Sequence, residues 1–96
     1  MDKFQIGETV VISHNVQKKT ANVWADYDPT TSIVVSIFTP AGVEDVASAA
    51  MTKDSTGNYH YDYQSASKSA GVYRARTTDT DSTRITKKDG YFELEV

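Results

Sequence analysis

Apolar and polar residues alternate one for one through most of this chain, and that period restricts it to extended strands. In Tyr91–Phe–Glu–Leu–Glu–Val96, Phe92, Leu94 and Val96 fall on one side and Glu93 and Glu95 on the other, because successive side chains of a strand point to opposite faces. Ser32–Ile–Val–Val–Ser–Ile–Phe38 goes further. Ile33, Val35 and Ile37 share one face, while Val34 and Phe38 lie on the other, which reads as a central strand. Residue choice agrees: Val, Thr, Ile and Tyr are plentiful and the single leucine is Leu94, a composition that favours strand over helix.

Seven extended segments emerge between turn signals: Glu8–Ser13, Thr20–Ala25, Ser32–Phe38, Val43–Thr52, Asn58–Tyr63, Gly71–Thr77 and Tyr91–Val96. Spacing of this kind predicts an all-β antiparallel β-sandwich of about seven strands. Val43–Thr52 also carries Val46, Ala49 and Ala50 at helical spacing; its strand neighbours favour a strand over a short helix. Polar Thr78–Thr83 reads as a mobile loop. Asp28–Pro29, Pro40–Ala–Gly42, Gly57 and Gly71 mark tight turns. Core anchors are expected at Trp24, Ile33, Val35, Ile37, Tyr73, Phe92 and Leu94, with Trp24 lodged between the sheets. Tyr59, Tyr61 and Tyr63 share a face opposite polar Asn58, His60 and Asp62, so they read as inward. Tyr27 and Tyr91, beside turns, are the candidate exposed contact residues.

At 96 residues the chain fits one domain, 1–96. With no cysteine, disulfides, thiolate metal sites and cysteine nucleophiles are excluded. Ten basic against 13 acidic residues give a net charge of −3. The basic residues are scattered in pairs (Lys18–Lys19, Arg74 and Arg76, Lys87–Lys88), so no nucleic-acid partner is expected. No apolar run approaches the roughly 18 residues of a membrane helix. Met1–Asp–Lys–Phe lacks the apolar stretch of a leader, and the chain reads either as a small protein complete in itself or as a piece of a longer one. His14 is placed in a loop after the first strand, and His60 faces away from the tyrosines. Neither has a nucleophile or a second ligand at useful spacing, so no enzyme, cofactor or metal is expected. Asp26–Tyr–Asp28 and Asp79–Thr–Asp81 offer oxygens of the kind calcium takes, but that ion needs about six to eight. These aspartates read as turn stabilisers.

Five stretches in order resemble prokaryotic and phage immunoglobulin-like domains. They are Phe4–Gln–Ile–Gly–Glu–Thr–Val10, Asp28–Pro–Thr–Thr–Ser through Pro40–Ala–Gly42, Met51–Thr–Lys–Asp–Ser–Thr–Gly–Asn–Tyr–His–Tyr–Asp–Tyr63, Ala70–Gly–Val–Tyr–Arg–Ala75 and Tyr91–Phe–Glu–Leu–Glu–Val96. The look is shared by small phage proteins encoded near head and tail genes, by surface-protein repeats and by macroglobulin-like domains. The resemblance implies an immunoglobulin-like sandwich without catalytic residues, with Tyr73 at the corner-tyrosine position and Ala75 where antibody domains carry cysteine. It also implies a structural role in a virion, as a head, neck or tail accessory that docks on other structural proteins and is made in the host cytoplasm. The competing expectation is an adhesion or interaction module of a prokaryotic surface or secreted protein.

Overall fold

A computed structural model describes residues 2–96. Its strands are β1 (Asp2–Gln5), β2 (Thr9–Asn15), β3 (Gln17–Thr20), β4 (Val23–Asp26), β5 (Ser32–Phe38), β6 (Glu44–Ala50), β7 (Thr52–Ser55), β8 (Asn58–Gln64), β9 (Gly71–Asp81) and β10 (Arg84–Glu95). No helix occurs among the described residues. A five-stranded sheet in the order β1-β10-β9-β5-β6 faces a three-stranded sheet, β2-β8-β7, and β3 and β4 form a separate hairpin. The body is elongated, 48 × 20 × 20 Å.

Alternation explains the interior. Val35 and Ile37 of β5, Tyr73 and Ala75 of β9, and Phe92 and Leu94 of β10 point from the large sheet toward Val10 of β2, Tyr59 and Tyr63 of β8, and Met51. Tyr73 stacks on Phe92 with ring centroids 5.3 Å apart, and Tyr63 packs against both. Ile33, near the end of β5, and Tyr61 pack against this cluster while staying partly exposed. Residues 44–50 are a strand paired with β5, with register shifts and Ser48 at φ +48°. That bulge interrupts the small-residue run whose spacing also fits a helix.

Several expectations are corrected. Ten strands stand where about seven were expected, and they are not all antiparallel: β1 runs parallel to β10, Asp2 beside Phe92 and Gln5 beside Glu95. Trp24 is no core anchor. It is 62 % exposed on β4, all of whose residues face water. The β3–β4 hairpin turns through Ala21 and Asn22, both at positive φ, and nothing covers it as a second layer, so its alternation buries neither face. Residues 78–83 are not a mobile loop. Thr78–Asp81 continue β9, and the turn at Ser82 is tied down where the Ser82 N–H donates to the hydroxyls of Thr30 (3.1 Å) and Thr31 (3.2 Å). β-Branched threonines suit a strand that has neighbours on both sides, which here are β5 and β10.

Candidate functional site

Residues of β9 that alternate with Tyr73 and Ala75 must point away from the core, and Arg74 is one of them. The ladder sets Phe38 beside Arg74 and Arg74 beside Tyr91. A row of aromatic, guanidinium and aromatic side chains therefore crosses the outward face of the large sheet. The Arg74 guanidinium lies 4.4 Å from the Phe38 ring centroid, close enough for a cation–π contact. Its Nε is buried and has no hydrogen-bond partner. Tyr91 is 54 % exposed, and Val72 and Val43 are exposed too. A depression of about 250 Å³ opens between Phe38, Pro40, Val72, Arg74 and Tyr91. Gly71 makes its end possible: at φ +139° it lies so close to Pro40 that a Cβ would come within 2.6 Å of the ring. One row further along, Asp89 accepts from Arg76 at 2.8 and 3.2 Å.

Tyr27, the other expected contact residue, is half-buried rather than exposed. Its hydroxyl donates to Asp81 at 3.1 Å, and Lys18 Nζ sits 4.8 Å from its ring centroid. Burial and the Asp81 carboxylate raise its hydroxyl pKa. The Tyr27 ring lines a cleft of about 280 Å³ together with His14, Lys18, Asp79, Arg84 and Lys88.

His14 lies on β2, not in a loop, and its side chain is 7 % exposed. Its Nε2 is 3.0 and 3.1 Å from the Asp79 oxygens, and its Nδ1 is 3.4 Å from Thr77 Oγ1. Thr77, His14 and Asp79 have the composition of a hydroxyl–base–acid relay. Thr77, however, is 5 % exposed and its hydroxyl also donates to the Lys88 carbonyl. The three side chains act as a strut between the two sheets. His60, on the opposite side of β8, pairs with Asp54 at 2.7 Å, which raises its pKa.

Three aspartates of the two Asp-x-Asp pairs brace turns and the hairpin, whereas Asp79, expected to do the same, belongs to the strut with His14. Asp26 accepts from Asn15 and Gln17, and Asp81 from the Thr30 hydroxyl and N–H. Asp28 accepts from Lys53 Nζ (2.6 Å), Tyr59 Oη (2.7 Å) and the Gly57 N–H (2.8 Å). These donors, Lys53 first, hold its pKa down at about 2, and Tyr59 is pushed up to about 12, chiefly by burial. Asp45 and Asp89 are lowered as well, by Tyr63 and by Arg76. A carboxylate whose pKa is depressed on folding stabilises the fold above its unfolded value of 3.8, and that contribution fades as pH falls through the folded value. Urea midpoints should therefore decline as pH drops from about 4 toward 2, and Asp28→Asn should flatten that decline. An unchanged slope in the variant would remove Asp28 from the account.

Sequence reasoning names Tyr91 but misses Phe38 and Arg74 as its neighbours. Their outward direction is readable from alternation, whereas their adjacency depends on which strands pair. Set against known proteins, the chain matches no family model, no curated sequence and no solved structure.

Proposed function

We propose that this chain is a non-catalytic docking domain of immunoglobulin-like build, a structural accessory of a virion that attaches to other structural proteins through its outward Phe38–Arg74–Tyr91 row. The row carries the docking reading. Tyr, Phe and Arg are the residue types over-represented where interfaces concentrate their binding energy, and a buried Arg74 Nε with no acceptor is a donor awaiting one. The virion assignment rests on the resemblance of the five sequence stretches to phage-encoded domains.

Sedimentation with purified particles from the phage that encodes the chain tests both parts. Wild-type protein is expected in the particle fraction. Arg74→Glu and Tyr91→Ala should each weaken retention by about 2 kcal/mol, roughly thirty-fold. Particles lacking the protein would end the virion reading in favour of a surface or secreted module. Undiminished retention of both variants would move the interface elsewhere.

A further inference from the structure

Each sheet has an open edge, and the two lie on the same flank. β2 ends the three-stranded sheet. β1 covers β10 only from Phe92 to Glu95, so residues 84–91 have β9 on one side and no strand on the other. Between these edges runs a seam. Its cavities, about 150, 110 and 280 Å³, lie side by side: the first two share Ile12, Ala75 and Gly90, and the last two share His14 and Lys88.

The backbone direction at the edge follows from one bond. The Ile6 N–H donates to the Glu95 carbonyl at 2.9 Å, so odd-numbered residues of β10 turn their peptide groups away from β9. The ladder keeps one register from Arg84 to Leu94. Ile85, Lys87 and Asp89 therefore aim N–H and C=O groups at the open side, the template that strand addition uses. Gly90 faces inward, and a Cβ there would meet nothing within 4 Å, which leaves room for an incoming side chain.

Charge selects the occupant. Among the described residues, Lys18, Arg84, Lys87 and Lys88 have no carboxylate within ion-pair distance. The nearby acids are engaged elsewhere: Asp79 by His14, Asp81 by Thr30 and Tyr27, and Asp89 by Arg76. Lys18, whose ammonium lies over the Tyr27 ring, and Arg84, Lys87 and Lys88 thus gather on one flank of a chain whose net charge is −3. A second copy of β10 laid antiparallel on this edge and centred on Lys87 or on Lys88 would set that lysine against its own copy, and like charges directly opposite disfavour pairing. We infer that the open edge of β10 takes an acidic extended segment of a partner protein as an added strand, with the carboxylates of its inward face toward Arg84 and Lys88. This flank is separate from the outward row, so the site stands whether or not the particle reading holds.

The probe is a fluorescein-labelled, end-blocked peptide of about ten alternating Glu and Val residues, with a Lys-for-Glu version as control, read by anisotropy. The acidic peptide should bind, shift the amide resonances of Ile85, Lys87 and Asp89, and lose affinity between about 50 and 200 mM salt. Lys87→Pro deletes an N–H that faces outward and leaves the β9 ladder intact. It should weaken binding at least about ten-fold, as should the Arg84→Glu, Lys88→Glu double variant. Melting curves like the wild type's would show both variants folded. No binding at millimolar peptide, equal binding of the Lys version, or unaltered binding by either folded variant would overturn the inference.

Discussion

Tyr73→Ala should cost about 3–5 kcal/mol of folding stability, far more than Tyr73→Phe or Trp24→Ala. The side chain is 1 % exposed, stacks on Phe92, packs on Tyr63 and donates its hydroxyl to the Ser69 carbonyl at 2.7 Å. Truncating a large buried ring to alanine costs about 3–5 kcal/mol, against a total of about 5–15 kcal/mol for a small domain. Tyr73→Phe keeps the rings together and loses one hydrogen bond, about 1 kcal/mol. Trp24→Ala removes a larger side chain and should still fall within about 0.5 kcal/mol, since it vacates only surface. Urea denaturation of the three variants checks the order. A Trp24→Ala cost equal to that of Tyr73→Ala would contradict the placement of the hairpin outside the core.

Gly57→Ala should rank next. At φ +76° an L side chain is strained, and a Cβ would stand 2.7 Å from the Val16 carbonyl oxygen, 2.8 Å from the Tyr27 nitrogen and 2.9 Å from Asp26 Cβ. Two of those neighbours are backbone and cannot swing aside. The same residue donates its N–H to Asp28 and accepts the Val16 N–H at 2.7 Å, while Tyr27 N–H donates to the Val16 carbonyl at 2.9 Å. Gly57 is therefore where the β7–β8 turn is bolted to Val16 and Tyr27, the residues that flank the β3–β4 hairpin. Left-handed strain alone is worth about 1–2 kcal/mol, and separation of the backbones adds to it. The expected total is at least about 2 kcal/mol in urea, with the Lys18 and Tyr27 resonances displaced. A cost near zero would mean that the turn and the hairpin are not locked together.

Alternation is informative wherever two layers face each other, and misleading where only one exists. Val35, Ile37, Tyr73, Phe92 and Leu94 lie in the interior because each alternating strand has an opposing sheet. The same pattern around Trp24 places nothing, since no layer covers the hairpin. Thr78–Asp–Thr–Asp81 looks like a solvated connection because its polarity is local information. It is a strand because β5 and β10 flank it and because His14 and Thr30 satisfy Asp79 and Asp81, partners more than 50 residues away in the chain. The parallel placement of β1 is equally non-local, and so is the adjacency of Phe38, Arg74 and Tyr91. Each of these side chains has a readable direction, but the site exists only through strand order.

The parallel pairing of β1 with β10 also sets how the molecule takes mechanical load. Asp2 lies beside Phe92 and Gln5 beside Glu95, with both strands running the same way. A pull that draws Asp2 and Glu95 apart acts along the two strands in opposite senses. The slanted interstrand bonds of a parallel pair then bear tension together, in shear, instead of parting one after another like a zip.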